Sequence, residues 1–186
     1  MLSKKALIII DYTVDFVATN GALTCGEPGQ LIEEKLISIS NTFIEQGHLT
    51  IFAVDTHYEN DPLHPETKLF PAHNIVGTEG RELYGGLSEL YKQSEQLPHV
   101  NWMDKTRYSS FVGTDLELKL RASGVTQLHL VGVCTDICVL HTAIDAYNKG
   151  FEIVIYDNAV ASFDSDGHAW ALRHFKNGLG ASIKTI

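Results

Sequence analysis

Leu128-His-Leu-Val-Gly-Val-Cys-Thr-Asp-Ile-Cys-Val-Leu-His-Thr-Ala143 passes without interruption from an apolar, β-branched run into a stretch with helical spacing. Residues 128–133 read as a strand, and Val139, Ala143 and Ala146 fall three to four apart, on one face of a helix that begins near Asp136. A strand handed directly to a helix is the repeating unit of a parallel sheet, because parallel neighbours need a crossover connection. The same alternation extends outward in both directions. Apolar runs over residues 6–10, 49–54, 100–103 and 151–156, with a weaker one over 181–186, read as further strands. Helical spacing lies between them, at Leu31, Lys35, Leu36, Ile39 and Phe43 and again at Leu116, Leu118 and Leu120. Near-continuous apolar strands are buried on both faces, so the expected fold is α/β: a doubly wound three-layer αβα architecture around a mostly parallel six-stranded sheet.

Length and composition narrow the function classes. The 186 residues suit one domain, taken as residues 1–186, and 44% hydrophobic with 20% charged residues fit a globular chain with a real core. A net charge of −9, from 14 basic against 23 acidic residues, disfavours nucleic acid as a partner. No apolar run approaches the roughly 18 residues of a membrane span, and the first residues lack the pattern of a secretory signal, so the expectation is a cytoplasmic protein without a membrane partner. A homo-oligomer acting on a small molecule is expected. In a reducing compartment Cys25, Cys134 and Cys138 are thiols rather than a disulfide framework.

In open parallel sheets ligands bind beyond the carboxyl ends of the strands. There the sequence places Asp11 after the first strand, Asp55 and His57 after the second, Asp104 and Lys105 after the third, and Cys134, Thr135, Asp136 and Cys138 after the fourth. Taken singly, a strand-end Asp can be a helix cap and a strand-end Lys a solvated charge. Together they offer a nucleophile, a proton acceptor and a cation, the parts that acyl transfer to sulfur requires. Cys138, in the first turn of a helix, is expected to be a stabilised thiolate, nucleophilic near neutral pH. Cys134 ends an apolar strand and fits a packing role better; Cys25, in a glycine-containing loop, reads as structural. A zinc site from Cys134 and Cys138 alone is a weak alternative, since no second cysteine pair exists.

The longest irregular stretch, residues 57–86, concentrates imidazoles and carboxylates in its first half, from His57 through His64 and Glu66 to His73. With Asp55 beside it, such a mixture suits zinc, iron(II) or manganese; the alternative is a surface loop with solvated histidines.

The segments Ile10-Asp11-Tyr-Thr-Val-Asp15-Phe16, Asp55-Thr-His57 through Leu69-Phe70-Pro-Ala-His73, Asp104-Lys105 and Gly132-Val-Cys-Thr-Asp136-Ile-Cys138-Val with Thr142-Ala143 together resemble the isochorismatase-like hydrolases, and within them the nicotinamidase/pyrazinamidase branch. The likeness runs over nearly the whole chain. It implies a triad of Asp11, Lys105 and Cys138, and an oxyanion hole from the backbone N–H groups of Cys134 and Cys138. It also implies a cis peptide before Cys134. A divalent metal, zinc first with iron(II) or manganese(II) as alternatives, would be held by Asp55, His57, His73 and a fourth ligand, Glu66 in preference to His64. Phe16, Phe70 and Tyr108 become candidates for aromatic pocket walls, with core packing as the other reading. Thr13 departs from the glutamine common at its position, and Cys134 from a small or hydroxyl residue. The implied reaction is hydrolysis of nicotinamide, and of pyrazinamide, through a thioester on Cys138. The rivals are another cysteine amidohydrolase of the superfamily acting on a ureido or carbamoyl group, a catalytically silent relative, and a nucleotide-binding module. The last has little support, because the chain lacks both G-x-G-x-x-G and G-x-x-x-x-G-K-[ST].

Overall fold

The computed structural model describes residues 4–186. Among them six strands form one sheet: β1 (Lys5–Ile10), β2 (Leu49–Asp55), β3 (Val100–Lys105), β4 (Gln127–Val133), β5 (Glu152–Ala161) and β6 (Ser182–Lys184). The order is β3-β2-β1-β4-β5-β6, and every neighbouring pair is parallel rather than mostly so. The connections carry α1 (Val14–Val17), α2 (Glu27–Leu31), α3 (Glu33–Glu45), α4 (Gly85–Ser94), α5 (Leu116–Ala122), α6 (Leu140–Asn148) and α7 (Ser165–Gly178). No helix among the described residues is long and apolar enough to cross a membrane.

Alternation along the strands divides the core into two layers. Leu7 and Ile9 of β1, Phe52 and Val54 of β2 and Val131 and Val133 of β4 face Leu36, Ile39 and Phe43 of α3 and Leu87 of α4. Ala6, Ile8 and Ile10, with Ile51, Ala53, Leu128 and Leu130, face Leu116 and Leu120 of α5, Ala143 and Ala146 of α6 and Phe175 of α7. Because both faces are covered, the strands read as continuous apolar runs, as parallel sheets require.

Several boundaries differ from the sequence expectation. β5 runs five residues beyond Tyr156, because its register against β4 shifts between Leu130 and Gly132 and Val160 and Ala161 then pair with Gly132 and Val133. β6 is only Ser182–Lys184 and pairs on one side only, with β5. The helical pattern begun at Leu31 crosses a break at Ile32, which leaves Leu31 exposed at the end of α2; Leu118 likewise faces solvent. The helix expected near Asp136 starts as a π-helical turn, Thr135–Val139, before α6 proper. The 57–86 stretch contains two 3₁₀ turns, Pro65–Lys68 and Glu79–Arg81.

The chain order reverses between β1 and β4, which is where such folds open a crevice. Gly132 sits there at φ +110°, and a Cβ on it would meet the Ile10 carbonyl oxygen at 2.0 Å. Glycine therefore lets β4 press against β1 and aims the chain toward Cys134.

Candidate active site and metal centre

Asp11 leaves β1 with a left-handed backbone, φ +54°, held there by its N–H donating to the Ala53 carbonyl at 3.0 Å. Non-glycine residues adopt this region rarely and concentrate at functional sites. Its carboxylate is fully buried: Oδ1 accepts the Asp55 N–H at 2.7 Å, and Oδ2 lies 2.7 Å from Lys105 Nζ. Lys105, at the end of β3, also donates to the Arg107 carbonyl at 3.1 Å and reaches Asp55 Oδ1 at 3.6 Å and Cys138 Sγ at 3.7 Å. One ammonium thus touches two carboxylates and a thiol, all inaccessible or nearly so.

Burial, with the neighbouring Asp55 charge, raises the Asp11 pKa to about 6, and the Lys105 ammonium, helped by a hydrogen bond from Cys138, keeps it from going higher. Burial opposes the charge on Lys105 as well, but Asp11, Cys138 and Asp55 together outweigh it and hold the lysine protonated above its ordinary range. For Cys138 burial dominates, so its pKa is raised well above that of a free thiol despite Lys105. This corrects the expected resting thiolate: a helical first turn offers partial charge, but here the sulfur lies in apolar surroundings with Asp11 competing for the same cation. A thiol at rest beside a carboxylate that titrates near 6 is a nucleophile activated by proton transfer during attack.

The turn that carries Cys138 is braced from outside. Asp136 accepts from Ser162 Oγ at 2.6 Å, and Thr135 Oγ1 pairs with His168 Nδ1 at 2.8 Å. Val139 N–H and Ile137 N–H both donate to the Cys134 carbonyl. The Val133–Cys134 peptide is cis, as the resemblance implied.

Beside this cluster, the ligand atoms of Asp55, His57, Glu66 and His73 all lie within 4.8 Å of one another, and the four residues are buried. His57 Nε2 is 2.8 Å and His73 Nε2 3.4 Å from Asp55 Oδ2, and His73 Nε2 is 3.5 Å from Glu66 Oε2. His73 Nε2 and Asp55 Oδ1 are buried without a hydrogen-bond partner. Burial works against a charged His73, yet the adjoining carboxylates raise its pKa to about 10. Four buried N and O donors that converge on one point, two of their atoms lacking a hydrogen-bond partner, fit a divalent cation between them. His64 stands apart: its Nε2 lies 2.8 Å from the Thr106 carbonyl and its Nδ1 accepts the Glu66 N–H, so it caps the turn that delivers Glu66.

Phe16, Phe70 and Tyr108 line a narrow cavity that ends on Cys134 and Cys138, with Glu66 in its wall. Glu66 and Phe70 also line a wider outer cleft that includes His57 and His73, so the candidate metal cluster borders the thiol's cavity through Glu66. Leu23, Ile137 and Phe163 complete the inner cavity, and the sequence reading assigned them no role; isolated apolar residues in connections carry no periodicity to mark them. Three further supports were missed. Asp15 Oδ2 accepts the Asn74 N–H at 2.7 Å, which fixes the loop at His73, and Thr13 Oγ1 donates to Asn74 Oδ1 at 2.9 Å. Arg81 bonds the Asp55 carbonyl, Thr56 Oγ1 and Asp104, which ties the ends of β2 and β3 together.

A doubly wound α/β fold with thiol, carboxylate and ammonium groups packed at the sheet's switch point defines the class of a cysteine-dependent hydrolase. More particularly, the isochorismatase domain matches residues 5–186, and the chain belongs to that family. It is similar to the nicotinamidase/pyrazinamidase PncA from Bacillus subtilis, with 64% identity, coverage of 97% of this chain and 99% of that one, and a TM-score of 0.97. The pyrazinamidase/nicotinamidase from Streptococcus mutans UA159 is 52% identical over 96% of this chain and 99% of its own, with a TM-score of 0.94. The pyrazinamidase of Pyrococcus horikoshii, in complex with zinc, is 29% identical over 98% and 99% of the two chains, with a TM-score of 0.84.

Proposed function

We propose that the protein is a nicotinamidase, hydrolysing nicotinamide to nicotinic acid and ammonia through a thioester on Cys138, and hydrolysing pyrazinamide by the same route. The observation that carries this reading is Lys105 Nζ in simultaneous reach of Asp11 at 2.7 Å and Cys138 at 3.7 Å, at the end of an aromatic-lined cavity.

The substrate carboxamide lies over Cys138 with its ring between Phe16, Phe70 and Tyr108. As sulfur attacks the carbonyl carbon, Asp11 accepts the thiol proton, and Lys105 keeps that carboxylate ionised until then. The backbone N–H groups of Cys134 and Cys138 stabilise the developing oxyanion. Protonated Asp11 then returns the proton to the leaving nitrogen and ammonia departs; a water deprotonated by Asp11 attacks the thioester carbon, the C–S bond breaks to release nicotinic acid, and the Cys138 sulfur takes the proton back from Asp11. Asp55, His57, Glu66 and His73 would hold a divalent metal, zinc in the first instance, which when bound supplies a Lewis-acidic anchor for a ring nitrogen. A ureido or carbamoyl substrate has no ring nitrogen to use such an anchor, so the buried cluster favours the pyridine carboxamide.

The test is ammonia release from nicotinamide by purified wild-type protein and by Cys138→Ala. Release by the wild type and none by the variant is expected; no release by metal-replete wild type would overturn the reading.

A further inference from the structure

Cys25 and Cys134 are separated by 109 residues of sequence, yet their sulfur atoms lie 3.2 Å apart in the buried interior. Cys25 belongs to the connection between α1 and α2, where its N–H donates to the Phe16 carbonyl at 2.8 Å. Cys134 lines the inner cavity next to Cys138. The thiol pair is therefore bonded on one side to a segment bearing a pocket wall and open on the other to whatever small molecule enters the pocket. Cys138 lines the same cavity, but its sulfur is engaged with Lys105 and Asp11 rather than with Cys25. The S–H···S contact, with burial, keeps Cys134 in its thiol form.

We propose that Cys25 and Cys134 constitute a redox-active dithiol, a modification site distinct from the nucleophile, which small hydroperoxides convert to an intramolecular disulfide and so switch the enzyme off. The hydroperoxide O–O bond breaks as the S–S bond forms. Each sulfur gives up one proton and one electron, and the two protons and two electrons leave as water and an alcohol, or as two waters from hydrogen peroxide. A disulfide bond is about 2.05 Å long, so the sulfurs must close by about 1.2 Å. That movement draws Cys134 out of the cavity wall and pulls on the Phe16 segment through Cys25. It displaces the backbone N–H assigned to the oxyanion as well as the aromatic wall, and a misplacement on the order of 1 Å is enough to cost about 10²-fold in rate.

Two arms of one experiment test this. In the first, Cys138→Ala protein, reduced and desalted, is treated with hydrogen peroxide and alkylated without reduction. Peptide mapping is expected to show one cross-linked pair joining Cys25 to Cys134, absent when Cys25→Ala is added. Oxidation that stops at separate sulfur acids, or leaves both thiols free, overturns the proposal whatever the enzyme's substrate is. The second arm rests on the nicotinamidase reading and uses diamide, which takes two electrons from a thiol pair without adding oxygen to Cys138. Wild type is expected to lose roughly tenfold or more in ammonia release and to regain it with dithiothreitol, while Cys25→Ala and Cys25→Ser keep their activity. Equal inactivation of wild type and both variants, with the disulfide present in wild type, overturns the switch.

Discussion

Lys105 Nζ lies 2.7 Å from Asp11 Oδ2, with both side chains wholly inaccessible to solvent. Such a pair is a poor source of net stability, because desolvating two charges offsets most of their attraction. Its consequence is instead that neither partner tolerates loss of the other. Lys105→Met leaves a buried carboxylate uncompensated, which is expected to cost on the order of 3 kcal/mol at neutral pH and to abolish turnover. Adding Asp11→Asn removes the nearer of the two carboxylates that Lys105 compensates, so the double variant should regain part of the stability but none of the activity. Urea titration of the four proteins in the cycle measures this; additive losses would show that the pair is not coupled.

His129 gives the fold a pH dependence remote from the site. Its Nδ1 lies 2.8 Å from Tyr156 Oη and its Nε2 2.9 Å from Gln127 Oε1, one acceptor and one donor position that a neutral ring satisfies. Burial, with Lys5, Lys184 and His48 nearby, depresses its pKa to about 3. Between pH 3 and the unfolded value near 6.5, the unfolded chain therefore binds the extra proton, so stability falls as pH drops through that window. Acidification from pH 7 to 5 is expected to cost about 2 kcal/mol through this residue. Other groups, Asp11 and His73 among them, also titrate across this range, so the quantity to read is the gap between wild type and His129→Gln: in urea unfolding it should shift by about 2 kcal/mol against wild type from pH 7 to pH 5, and an unchanged gap would remove His129 as the cause.

How far the sequence led depends on what each residue answers to. The strands and the two-sided core were legible because Leu7, Ile9 and Val131 against Ile8, Ile10 and Leu130 are apolar without exception, a pattern only a doubly covered sheet produces. The far end of β5 was not, since Asp157 and Asn158 interrupt the apolar run and only the register shift beside Gly132 shows that pairing resumes. Asp11, Lys105 and Cys138 could be singled out as candidates because each lies at or just past the carboxyl end of a strand on one rim. The protonation state of Cys138 could not, because it depends on burial that no local pattern reveals. Cys25 looked inert for the same reason, its partner being brought up from the distant β4 end.

The metal cluster yields a choice between neighbours. Glu66 contributes an oxygen to the cluster, whereas both ring nitrogens of His64 are engaged with backbone groups. Glu66→Gln is expected to weaken metal retention roughly tenfold or more, and His64→Ala to retain metal with reduced thermal stability. His57→Ala is expected to lose metal and raise the substrate KM. Since His57 is buried rather than a surface ligand, a modest loss of stability should accompany it. Elemental analysis beside melting curves separates these outcomes, and full metal content in Glu66→Gln would remove Glu66 from the ligand set.

The two cysteines of the β4–α6 junction are expected to differ sharply in kinetics. Cys138 Sγ is the sulfur in reach of Lys105, and Asp11 is placed to receive its proton. Cys134 holds its proton against Cys25 and offers the reaction its backbone N–H, which any residue but proline would supply. Cys138→Ser or Cys138→Ala should therefore lower kcat by several orders of magnitude and prevent thioester formation. Cys134→Ala keeps the backbone donor and should cost roughly tenfold or less, about 1.4 kcal/mol of barrier, with most of the change in KM because the side chain lines the cavity. Mass spectrometry after trapping with an electrophilic amide analogue identifies the modified sulfur. An adduct on Cys134, or near-normal turnover by Cys138→Ala, would falsify the assignment of the nucleophile and the thioester route built on it.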